Sequence, residues 1–167
     1  MKRQVIPIHR TFFANKNLEA GFTLIELLVV IIITGILTAV ALPSLLNQIG
    51  KARETEAKEA LSSMGSAQQA YFFEKGQFAN SLSELGVIVS GEYYNYLPPA
   101  VTPTPSQVVH VADAINPTNQ NTRDYAIGVY YQNQSFGIVL CQSNNPAGNA
   151  LPSSTTLGTC QQGQIIR

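Results

Sequence analysis

Glu26 is the one charged side chain in the 28 residues from Phe22 to Ile49. A carboxylate placed five residues into such an apolar run is unfavourable unless something positive meets it, so its position alone makes it a functional candidate. Ion pairing is the chemistry open to it. The small residues Ala20-Gly21 stand directly before the run. Cleavage after Gly21 would leave Phe22 with a free amine, and Glu26 of one copy could take the Phe22 amine of the next, a strong pairing at low dielectric. The alternatives are an uncleaved signal anchor, with Glu26 solvated at the interface or protonated in lipid.

Other reactive residue types are few. Cys141 and Cys160 enclose 18 residues. An even pair in an oxidising compartment predicts a disulfide, which chain entropy values at about 3 kcal/mol; two free thiols or a labile metal pair are the alternative. His110 and Asp113 are three apart, but the chain has no His-Glu-x-x-His spacing, Gly-x-Ser-x-Gly turn or phosphate-binding glycine loop. No catalytic residue, cofactor or metal site is expected, and His110 reads as an ordinary strand residue.

The element that must carry Glu26 is a helix. Twenty-eight helical residues run about 42 Å, against about 30 Å for a hydrocarbon core. Charge orients it. Residues 1–21 carry Lys2, Arg3, Arg10 and Lys16 against Glu19, a net of +3, and the remainder carries a net of −3. The basic flank therefore belongs in the cytoplasm and the rest, both cysteines included, is translocated. Nothing forms the basic patch of a dedicated nucleic-acid site. Pro43 lacks a backbone donor and predicts a kink or local melting; Gly35 and Gly50 weaken the helix further.

Gly21-Phe22-Thr23-Leu24-Ile25-Glu26-Leu27-Leu28-Val29-Val30 resembles the class III signal of type IV pilins and of the type II secretion pseudopilins. That resemblance implies a prepilin peptidase that cuts between Gly21 and Phe22 and methylates the Phe22 amine. It maps the family's glutamate onto Glu26, its helix-breaking proline onto Pro43 and a helix glycine onto Gly35. Ala67-Gln68-Gln69-Ala70-Tyr71-Phe72 and Gly76-Gln77-Phe78 are similar to cyanobacterial pilins in particular. The Cys141–Cys160 loop also resembles the disulfide-closed tail of pilins.

Beyond Gly50, Ala57, Ala60, Leu61, Met64, Ala67, Gln68 and Tyr71 recur at helical spacing, with Glu54 and Lys58 placed for an i,i+4 pair. One helix is expected from Phe22 to Glu74, stopping at Gly76. Asn80-Ser81 before Leu82-Ser83-Glu84 could cap a turn. Four prolines between Pro98 and Pro105 keep the connector extended. Strands are expected at Glu92–Leu97 and Gln107–Val111, and a hairpin from Asp124–Tyr131 and Ser135–Cys141 across Gln132-Asn133-Gln134. The tyrosines of the first strand could pack in the sheet or lie on a surface. Asn133-Gln134-Ser135 matches a glycosylation sequon, read here as chance.

These readings add up to an α+β, pilin-like fold, with a long N-terminal helix packed on an antiparallel sheet of about four strands. Three parts are expected: a leader (1–21), an apolar helix (22–50) and a headgroup (51–167). The resemblance implies a structural subunit held as a single-pass inner-membrane precursor, its C-terminal domain outside the cytoplasm. Its partners would be the prepilin peptidase, the inner-membrane assembly machinery and copies of itself in a surface pilus, with roles in twitching motility, adhesion and DNA uptake. The rivals are a minor pilin or pseudopilin and, further off, a single-span anchored enzyme or binding protein.

Overall fold

The computed structural model describes residues 21–97, 99, 102–146, 148, 151–152 and 158–166. Apart from Gly21, the expected leader lies outside them. The chain divides into two compact units, one up to Val40 and one from Ala41. Helix α1 (Leu24–Lys75) supplies residues to both and is continuous through Pro43.

Among the first unit's described residues, the helical segment from Leu24 to Val40 is mostly aliphatic, and its large apolar side chains are exposed. Its two hydroxyl residues inside the helix return their protons to the backbone: Thr34 Oγ1 donates to the Val30 carbonyl at 2.9 Å and Thr38 Oγ1 to the Thr34 carbonyl at 2.7 Å. These two hydroxyls therefore meet the rule for helices in lipid, that polar groups be satisfied internally.

In the second unit α1 ends where the sequence predicts. Gly76 adopts a left-handed φ of 73° and donates its N–H to the Phe72 carbonyl at 2.8 Å, a C-terminal cap that favours glycine. The connector then makes a tight turn. Glu84 N–H donates to Ser81 Oγ at 3.3 Å, and the Glu84 carboxylate accepts from Asn80 N–H at 2.9 Å. This is the expected cap, closing turns rather than a helix.

The sheet follows from β1 (Tyr94–Tyr96), β2 (Gln107–Ala114), the helical turn α2 (Pro117–Gln120), β3 (Tyr125–Gln132) and β4 (Ser135–Gln142). The tail adds β5 (Leu151–Pro152), β6 (Cys160–Gln162) and β7 (Gln164–Ile166). All pairings are antiparallel, in the order β1-β2-β3-β4-β7, with β5 and β6 forming a separate ribbon. The main sheet thus has five strands where about four were expected. Gln164-Ile165-Ile166 is too short to register as a strand alone; it becomes one by pairing with Leu140–Gln142. The β3–β4 turn is tighter than the expected three-residue spacer. Gln132 pairs with Ser135, and Asn133 and Gln134 both take positive φ, 51° and 63°. That is the two-residue loop whose twist suits a hairpin.

The core has two faces because β2 and β3 are buried on both. Toward α1, Ala57, Leu61 and Met64 pack with Tyr94, Ala112, Tyr125 and Ile127. On the opposite face Val109, Val111, Ala126, Tyr130, Val139 and Cys141 cluster, with Cys160 against them. Near the end of α1, Phe72, Phe78, Tyr131 and Phe136 form an aromatic group, with ring centroids 4.5 to 6.5 Å apart.

Candidate functional site

The N-terminal determinants are open to solvent. A Cβ at Gly21 would meet nothing within 4 Å, and Phe22 is 75% exposed. Thr23 caps the helix, its Oγ1 accepting the Glu26 N–H at 3.3 Å, and the same hydroxyl lies 3.5 Å from Glu26 Oε2. Glu26 is therefore held in the first turn of α1, where the helix dipole favours an anion. The Thr-x-x-Glu cap was legible at Thr23 and Glu26 but is hidden under the stronger apolar signal. Every residue from Gly21 to Ile49 is exposed.

Cys141 and Cys160 are joined, with Cα atoms 5.9 Å apart. The bond links β4 to β6 and fastens the ribbon onto the sheet face opposite α1, so the cysteines act in closing the fold. His110 is fully buried on the α1 face. Gln68 sends one amide proton to His110 Nε2 at 2.9 Å and the other to the Ala79 carbonyl at 3.2 Å, while its Oε1 accepts the Ala79 N–H at 2.9 Å. One side chain thereby stitches helix, connector and β2 together. With Nε2 accepting, the imidazole is neutral, and burial lowers its pKa to about 4. Among the described residues no three His, Cys, Asp or Glu side chains converge in a way that could hold a metal ion.

The sequence reading of Glu54 needs correcting. It turns into the core rather than pairing with Lys58 on the surface. Burial and the neighbouring Glu54 carboxylate push the Tyr125 hydroxyl up, and Lys58 places its ammonium 5.2 Å from the Tyr125 ring centroid. Tyr94 and Tyr125 are buried edge to face at 6.3 Å, so the tyrosine cluster contributes core. Gly50 has a role beyond weakening the helix. A Cβ there would lie 2.8 Å from the Asn121 carbonyl oxygen, so α1 and the turn after α2 approach only because Gly50 has none. Asn121 itself is left-handed, with φ of 50°.

Residues 54–163 match the family model described as type IV pilin-like G and H, and residues 16–42 match the prokaryotic N-terminal methylation motif. The chain is 38% identical over 77 residues to the type IV major pilin protein PilA of Myxococcus xanthus, covering 46% of this chain and 35% of that protein. It is 35% identical over 82 residues to the fimbrial protein EcpC of Eikenella corrodens, 48% and 54% of the two chains. A fimbrial protein of Neisseria meningitidis serogroup B is 40% identical over 76 residues, 46% and 45% of the two. The alignments thus span between about a third and about a half of the length of these relatives.

Proposed function

Since the chain belongs to the type IV pilin-like family, we propose that it is a pilus subunit cleaved between Gly21 and Phe22, methylated on the Phe22 amine and assembled through its apolar helix. The observation that carries this reading is the pairing of opposites in one chain. A second unit with a closed core continues from a helical segment whose large apolar side chains are exposed and which bears one carboxylate. Lipid covers such a segment in the precursor, and copies of the same segment cover it in a filament. Burial of that area, at roughly 25 cal/mol per Å², drives assembly. The Glu26 carboxylate taking the Phe22 amine of a neighbour sets register. The prepilin peptidase and the inner-membrane assembly machinery are the further partners, and twitching motility, adhesion and DNA uptake are the uses this reading extends to.

Mass spectrometry of the chain recovered from sheared surface filaments tests it. The expected mass begins at Phe22 and carries one added methyl group; a chain beginning at Met1 with Phe22 unmodified overturns the proposal. The Cys141–Cys160 closure favours a pilin over a pseudopilin. Recovery of the chain in membranes but not in filaments would favour a minor pilin or pseudopilin.

A further inference from the structure

Asn47, Lys51 and Glu54 follow at i, i+4 and i+7 on α1 and, with Asn121 and Arg123, line a cleft of about 260 Å³. Its walls are tied by Asn121 Nδ2, which donates to Asn47 Oδ1 at 3.1 Å. The cleft is lined by two cations and one carboxylate, a net positive charge, and Glu54 is buried beside Tyr125. Among the described residues neither Lys51 nor Arg123 forms a side-chain hydrogen bond or ion pair, although the Arg123 charge acts on the nearby Tyr125 hydroxyl. Arg53, the other cation of this turn, is occupied 4.7 Å from the Tyr93 ring centroid.

Asn47 stands two residues before the end of the apolar run at Ile49, and Lys51 two residues after it. Along a helix these positions are about 6 Å apart. In a membrane-anchored precursor they fall at headgroup level on the side away from the cytoplasm. We propose that the cleft binds the phosphate of an anionic phospholipid headgroup, with Arg123 offering its planar fork, Lys51 a point charge and the two carboxamides further donors. The inference rests on the membrane-anchored reading. It adds that the precursor is seated at a fixed depth by a lipid that it must release on entering a filament.

The test uses the full chain in nanodiscs of phosphatidylcholine with a minor fraction of phosphatidylglycerol. Native mass spectrometry reads the phosphatidylglycerol retained. The expected result is enrichment over phosphatidylcholine that falls about tenfold in the Lys51→Gln/Arg123→Gln variant, falls in part in Arg123→Lys, which keeps the charge but loses the fork, and is unchanged in Arg53→Gln. Equal retention by the wild type and the double variant overturns the site. So does an equal loss with Arg53→Gln, which would mark diffuse attraction of a basic segment. Binding of inorganic phosphate that the double variant abolishes, with no enrichment of phosphatidylglycerol, would assign the cleft to free phosphate and overturn the lipid. A chain that fails to enter the nanodisc at all overturns the anchor instead, so the two failures are distinguishable. Circular dichroism checks that each variant keeps its fold.

Discussion

At the scale of single residues, His110 makes the headgroup sensitive to acid. Its folded-state pKa of about 4 lies below the ordinary value of 6.5. Between those two values the unfolded chain binds a proton that the folded chain refuses, so stability falls as pH drops from about 6.5 to about 4. The loss approaches roughly 3 kcal/mol. Burial raises the Asp113 and Asp124 carboxyls, which pull the opposite way at the acid end. Urea midpoints at pH 7 and pH 4.5 measure the slope. His110→Leu should flatten it while lowering stability at pH 7 by about 1–3 kcal/mol, because a buried Gln68 N–H loses its acceptor. Gly50 gives a second expectation. Gly50→Val should destabilise by about 1–3 kcal/mol through the clash with the Asn121 carbonyl, read as a lower melting temperature. Gly65→Ala should be milder, because its contact is the Ile127 Cδ1 methyl, which can move.

Among the elements, the β3–β4 hairpin and the disulfide-held ribbon invite opposite changes. Gln134 takes a positive φ of 63° without being glycine. Gln134→Gly creates an Asn-Gly turn and should stabilise the fold by about 0.5–1 kcal/mol in denaturant titration. Replacing both Cys141 and Cys160 with serine should cost about 3 kcal/mol and speed amide exchange first in β6 and β7. Much of this level was legible. The 3.6-residue stripe placed Ala57, Leu61 and Met64 in the core, and Gly76 marked the helix stop because only a left-handed residue could cap it there. The continuous apolar run Tyr125–Tyr131 announced a strand but not that both its faces are covered. The covering ribbon is a tertiary event: Leu151-Pro152 and Cys160–Gln162 have no periodicity of their own and pair only because β4 and the disulfide bring them together. Glu54 was misassigned for a related reason. Spacing puts it beside Lys58, but its burial beside Tyr125 depends on how α1 packs on the sheet, which a one-dimensional pattern does not carry. The cleft of Asn47, Lys51, Asn121 and Arg123 joins positions more than seventy apart in sequence, so no local motif announced it.

For the whole molecule, the expected consequence is a separation of insertion from assembly. Glu26→Ala should enter the membrane as well as the wild type, since removing a charge from an apolar run favours insertion. It should nevertheless fail to yield filaments, scored by shearing and by electron microscopy. Filaments of normal abundance from that variant would remove Glu26 from the account of register. The N-terminal motif was readable in sequence because its pattern is local: Gly21, Phe22 and Glu26, the proposed cleavage site, amine and carboxylate, fall within six residues. The headgroup needed the structure, because its faces are set by contacts between distant segments.

The pairing of β7 with β4 also imposes a timetable. A ribosome delivers the apolar helix long before it delivers residues 164–166, so for that interval the β4 edge at Leu140–Gln142 has no partner. An open sheet edge invites pairing with another chain. If the helix already made tethers nascent copies in a bilayer, as proposed above, they are confined to a plane, where such encounters depend on how densely they are being synthesised. Overproduction, rather than any substitution, is then the condition under which this fold is most exposed to error.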